Sequence, residues 1–284
     1  MAQSRAPQRA AHDRRDPRGS RRGPAHRRPL PRRAGRCRLR GLARWPPGGP
    51  DLAAPHPPRR PAGRPAGRDR GAAPGRVPSA TELAVQAGDD VALVWEFLPG
   101  APISRLTSTL LNHALALNNL QAGRLTGRDT IPAIRLYLTS DGPGYCLHQP
   151  LRELSTRTRR LDRWITTVGA SHPDCLSGHD AVHCDYQPSN LLADRDHITG
   201  VVDWDGAGRG DRRLDLVTLR FGIHAITADP AATGRLDQLL DTFPPHVLAP
   251  MWAHMSLRMT DWAIRHFTPS DVDHWLDLAE QRAS

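Results

Sequence analysis

The chain has 284 residues, enough for one or two domains, and carries a formal net charge of +10. All 39 basic residues are Arg, because the sequence contains no lysine. No stretch approaches the ~18 apolar residues of a membrane span, no apolar leader follows Met1, and Cys37, Cys146, Cys175 and Cys184 form no CxxC pair; the expectation is a cytoplasmic protein without a disulfide framework.

The charge is unevenly placed. Residues 1–80 hold 21 Arg and 4 Asp with no Glu, a net of +17, whereas the remainder carries −7. Residues 1–78 are rich in Arg, Pro, Gly and Ala and contain few large apolar side chains, which is too little to offset the entropy of ordering the chain. This segment reads as disordered, and residues 79–284 as the folded domain. Arg, Pro, Gly and Ala also share the codon families richest in G and C. A GC-rich segment translated in the wrong frame would give this composition, so a frame-shifted or misassigned start stands beside an authentic Arg-rich tail. The segment has one aromatic residue, Trp45, and hence no stacking ladder for nucleic acid. Any contact with nucleic acid would be nonspecific and salt-sensitive.

In chain order, Asp90–Pro99 predicts a short buried strand leaving into a loop at Pro99-Gly100. Leu106–Leu120 and Leu151–Val168 each have the apolar spacing of one helix. Residues 181–205, AVHCDYQPSNLLADRDHITGVVDWD, predict a short strand, a polar loop and a hairpin with arms at Leu191–Ala193 and Ile198–Val202. The hairpin returns the chain to its start, bringing Asp203 towards Asn190 and Asp185. Leu214–Ile226 and Ala249–Phe267 are predicted helices, and the Trp and Met residues of the second are assigned to the core. Thr268-Pro269 supplies an N-cap and first-turn proline for a last helix.

The three oxygen-bearing side chains suit metal-assisted phosphoryl transfer. A carboxylate (Asp203) and an amide oxygen (Asn190) are hard ligands for Mg²⁺. A second carboxylate (Asp185), five residues before Asn190, is left to accept a proton from an attacking hydroxyl. A zinc site from Cys175, His179, His183 and Cys184 matches no known spacing.

The run His183-Cys184-Asp185-Tyr186-Gln187-Pro188-Ser189-Asn190, with Val201-Val202-Asp203-Trp204-Asp205 and the following Gly206–Asp211 and Asp215-Leu216, resembles the aminoglycoside phosphotransferase and choline kinase-like group. The resemblance implies an α+β, protein-kinase-like fold with a mostly helical C-terminal lobe, and ATP and Mg²⁺ as cofactors. It implies Asp185 as catalytic base, His183 as a buttress of the loop, Asn190 and Asp203 as metal ligands, and Asp215 as a structural anchor. Val91–Glu96 would lead into the hinge that contacts adenine in that group, which puts Glu96 and Leu98 at the nucleotide. Gln187 would line the substrate mouth. Asp261, Asp271 and Asp273 suggest a cationic amino-sugar or amino-alcohol as the small-molecule acceptor.

Two departures stand out. Cys184 occupies the group's usual glycine, a replacement that costs little if its φ is negative. The N-terminal lobe, with its glycine loop and nucleotide-positioning Lys, has no counterpart in residues 1–89, and Arg does not reproduce the geometry of Lys. The alternative function is therefore a catalytically inactive remnant or binding-only pseudokinase. Oligomeric state is not legible.

Overall fold

The computed structural model describes residues 77–79, 82–87, 90–95 and 97–283. The disordered-segment reading of residues 1–78 falls almost wholly outside them, as does Glu96. Strands β1 (Glu82–Ala87) and β2 (Asp90–Trp95) form an antiparallel hairpin, with Glu82 opposite Trp95. No strand is expected before Asp90, and β1 is the correction. Leu83, Val85 and Ala87 alternate over only six positions, too short a run to stand out beside the Ala- and Gly-rich residues around it.

After β2 the chain pairs with the hairpin of residues 191–201. Strands β3 (Ala101–Pro102) and β4 (Arg105–Leu106) precede α1 (Ser108–Asn119), whose N-cap Thr107 accepts the N–H of Leu110. The single helix expected over Leu151–Val168 is two, α2 (His148–Leu154) and α3 (Thr156–Ala170). Ser155 is extended at φ −157° and forms a reciprocal capping box with Thr158, so the second helix starts afresh. Strand β5 (Asp180–Val182) and one 3₁₀ turn (Pro188–Asn190) then lead into β6 (Leu191–Asp194) and β7 (His197–Val201). This hairpin lies where its apolar arms and polar turn predict it. Its two-residue turn puts Arg195 at φ 54°.

Strand β8 (Gly208–Gly210) pairs with β5, and α4 (Arg213–His224) follows. The two-residue strand β9 (Thr227–Ala228) runs parallel to β4. Helix α5 (Pro230–Asp241) is not anticipated from the sequence, although Asp229-Pro230 carries a start signal; Gly234 inside it weakens the pattern. Helices α6 (Pro245–His266) and α7 (Pro269–Glu280) complete the fold, the latter behind the Thr268 cap its sequence predicts.

The sheets are small: β1–β2, β3–β6–β7, β4–β9 and β5–β8. The helices carry the core. Buried Leu110, Leu151, Ile165, Leu219, Trp252, Leu257 and Leu278 belong to one cluster, with α6 packed against α2, α3, α4 and α7. Burying a large apolar side chain contributes about 1.5–3 kcal/mol, so this helical layer is the rigid platform under the loop from His183 to Asn190.

Candidate active site

The loop is built from buried polar anchors. Asp215 on α4 is completely buried and accepts three hydrogen bonds: from the His183 N–H at 2.8 Å, the Cys184 N–H at 2.9 Å and Gln121 Nε2 at 2.7 Å. Burial pushes its pKa up to about 7, against the pull of those donors. His183 is also fully buried. Its Nε2–H donates to the Val202 carbonyl at 3.0 Å, and its Nδ1 accepts the Asp185 N–H at 3.2 Å. Burial lowers its pKa, which keeps the imidazole in the neutral tautomer these two partners require. Trp204 covers the ring at a centroid distance of 4.4 Å. Tyr186, buried as well, donates to the Ala114 carbonyl at 2.8 Å. Gly222 of α4 lets the loop settle, because a Cβ there would collide with Gln187 and Pro188.

These anchors present Asp185 with both oxygens engaged. Oδ2 accepts from Asn190 Nδ2 at 2.7 Å and Gln187 Nε2 at 2.9 Å. Oδ1 accepts from Arg258 at 2.8 Å, and the same guanidinium donates to the Cys184 carbonyl at 2.6 Å. Arg258 lies on α6, 73 residues from Asp185, and no motif in the sequence points to it. Its fork fits a carboxylate and a carbonyl at once. Among the described residues Oδ1 has one partner, so it retains acceptor capacity.

Asn190 and Asp203 come together through the hairpin: the Val202 N–H donates to the Asn190 carbonyl at 3.0 Å. Because Asn190 Nδ2 also donates to the Asp185 carbonyl at 2.9 Å, its Oδ1 faces away from Asp185. Asp203 is exposed, has no hydrogen-bond partner among the described residues, and sits at φ 68°, a left-handed conformation that costs a non-glycine residue roughly 1–2 kcal/mol. No group of three or more His, Cys, Asp or Glu suited to a metal occurs among the described residues. An amide oxygen and one carboxylate still fit Mg²⁺, which commonly takes one or two carboxylates and completes its shell with phosphate oxygens and water. Leu98 lies against the hairpin, where its side chain occupies the space a Cβ on Gly200 of β7 would need. The residues after it join the same sheet, with Ala101 opposite Ala193 and Pro102 opposite Leu192.

A cavity of about 470 Å³ opens beside the loop. Gln187 lines one end, and Met259, Trp262, Phe267 and Trp275 form much of its wall. The apolar side of α6 is therefore divided. Trp252 and Met255 are core, as expected, but Met259 and Trp262, one and two turns further on, reach past the core into the cavity.

A family model described as the phosphotransferase enzyme family matches residues 68–251. The chain belongs to this phosphotransferase family. Among solved structures, it is similar to a thermostable mutant of aminoglycoside phosphotransferase APH(4)-Ia in its apo form, with a TM-score of 0.56, 14% identity, and coverage of 75% of this chain and 78% of that one. A ternary complex of a mutant of that enzyme with AMP-PNP and hygromycin B matches with the same values. The macrolide 2'-phosphotransferase MphH from Brachybacterium faecium matches with a TM-score of 0.42 at 16% identity, covering 70% of this chain and 73% of that one. Curated protein sequences give no significant match. The fold is thus that of the protein-kinase-like phosphotransferases, α+β with a mostly helical C-terminal lobe.

Two expectations about this phosphotransferase are corrected. Cys184 has φ 66°, so the condition under which it replaces glycine at little cost is not met. Its thiol is raised by burial and acts as a small apolar filler. Of the three acids assigned to a cationic acceptor, Asp261 and Asp273 are engaged elsewhere, while Asp271 lies on the cavity wall. Asp261 is fully buried, paired with Arg265 at 2.7 Å and accepting the Leu147 N–H. Asp271 caps α7, and the exposed Asp273 pairs with Arg157 at 3.2 Å.

Proposed function

We propose that this phosphotransferase moves the γ-phosphoryl group of ATP to a hydroxyl of a small molecule, with Asp185 as general base and Asn190 and Asp203 as the Mg²⁺ ligands. The observation that carries the reading is the hydrogen-bonded unit of Asp185, Asn190 and the hairpin leading to Asp203, held from beneath by Asp215 and His183. The acceptor oxygen forms a bond to the γ-phosphorus as the bond from that phosphorus to the β,γ-bridging oxygen breaks. The hydroxyl proton passes to Asp185 Oδ1, the oxygen that Arg258 alone contacts. Bound at Asn190 Oδ1 and Asp203, magnesium would neutralise charge on the phosphate oxygens. Leu98, packed on the hairpin, would meet the adenine, and Glu96 belongs to the same hinge by sequence.

The test is Mg²⁺-dependent ATP binding and phosphoryl transfer by the full chain and by Asp203→Asn. Because Asp203 is exposed, the variant should fold normally while losing transfer by about 100-fold or more. Equal transfer by both proteins would overturn the assignment. ATP binding without transfer by the wild type would favour the binding-only reading, to which the absence of lysine already points.

A further inference from the structure

The cavity beside the loop has the size of a site for a drug-sized molecule. Its wall is aromatic and apolar, and its mouth is unusual. Five large hydrophobic side chains are exposed among the described residues, and two of them, Trp262 at 44% and Phe267 at 52%, border this one cavity. Aromatic faces left in water beside a concave surface mark a place where a ligand completes the burial.

The polar groups around the cavity already have partners. Asp271 is the one acid on the wall, and its Oδ2 already accepts the Thr268 N–H at 3.0 Å and the Thr268 hydroxyl at 2.6 Å. At the end lined by Gln187, the Asp185 carboxylate is neutralised by Arg258. Arg265 lies over the Trp262 ring at 5.8 Å from its centroid. His224 and His274, also on the wall, stack at 3.6 Å, and each Nε2–H donates to the other's carbonyl, at 2.8 and 3.0 Å. The pair supplies no negative charge. Arg258 and Arg265 are each paired with a carboxylate, Asp185 and Asp261, so no surplus positive charge surrounds the cavity, and its wall selects by aromatic surface.

We infer, resting on the phosphotransferase reading, that the acceptor is an alcohol with a broad apolar face, held against Met259, Trp262 and Phe267 with its hydroxyl towards Gln187 and Asp185. An amino-sugar without such a face would leave these aromatic side chains in water.

The test is equilibrium binding to the full chain by calorimetry, with erythromycin as the apolar-faced probe and kanamycin as the polycationic one. Binding is read separately from phosphoryl transfer. Erythromycin should bind at least tenfold more tightly than kanamycin, and Trp262→Ala should weaken erythromycin by about tenfold while Trp262→Phe restores most of the affinity. Trp262 is half in solvent, so an unchanged melting temperature would show that the variant folds. Tighter binding of kanamycin, binding of neither probe, or an erythromycin affinity untouched by Trp262→Ala would overturn the inference. Tight erythromycin binding without phosphoryl transfer would leave the acceptor class standing and sink the catalytic reading instead; transfer to kanamycin would do the reverse.

Discussion

Arg258 and Cys184 show how much of the site hangs on single side chains outside the motif's fixed letters. Arg258 contacts the loop at two points, the Asp185 carboxylate and the Cys184 carbonyl. It is a positioning residue: it acts on the proposed base and not on the acceptor. Arg258→Lys keeps the charge but cannot span both oxygens. It should lower kcat by about tenfold while leaving KM for ATP within about twofold, a split that simple destabilisation would not give. Steady-state kinetics beside a melting curve checks it; an unchanged kcat would remove the positioning role. At Cys184 the backbone is left-handed, so the comparison that isolates strain is between two variants lacking the thiol. Cys184→Gly should be more stable than Cys184→Ala by about 1 kcal/mol, since only glycine adopts this φ freely. Urea denaturation of the two would show it, and equal midpoints would mean that the loop has relaxed elsewhere.

At the scale of elements, the loop is held by α4 and α1 as well as by its own hairpin. Asp215 of α4 gathers two loop N–H groups and the amide of Gln121, which follows α1, into one buried cluster. Asp215→Ala leaves three buried donors unpaired, and each such group costs roughly 1–3 kcal/mol. The loss of stability should exceed about 3 kcal/mol. A drop in melting temperature below about 4 °C would show that water replaces the carboxylate, so that the anchor is weaker than its geometry implies. The division between α2 and α3 has the same local logic. One serine in extended geometry with its capping box outweighs an apolar pattern that runs through both helices.

For the whole molecule, burial of polar groups sets the response to pH. His254 of α6 is buried in the core and donates Nδ1–H to the Leu136 carbonyl at 2.8 Å. Burial lowers its pKa to about 4, from 6.5. The folded state therefore keeps it neutral while the unfolded chain takes up a proton below pH 6.5. Its contribution is neutral above pH 6.5 and turns against folding as pH falls from 6.5 to 4, by about 3 kcal/mol in all. His183, lowered in the same direction, adds to this. Asp215, whose pKa is raised to about 7, acts in the opposite sense over the same range, so the test is a difference: stability should fall less, or rise more, on acidification in His254→Gln than in the wild type. An identical slope in the variant would mean that His254 is not the titrating group.

Sequence alone determined the loop and hairpin of residues 181–205, because their information is local. Asp185, Asn190 and Asp203 are joined by a short loop and a two-stranded hairpin whose apolar arms and polar turn are written in adjacent residues. The Thr268-Pro269 helix start was legible for the same reason. Tertiary structure alone decided the rest. Arg258 meets Asp185 across 73 residues and Gln121 meets Asp215 across 94, and an Arg on an amphipathic helix or a Gln after one carries no local sign of its partner. Asp261, expected to receive a cationic acceptor, is withdrawn from it by the same rule. Asp261 lies near the cavity in sequence, but the packing of α6 buries it against Arg265, since a charge taken out of water must find its counter-charge within reach.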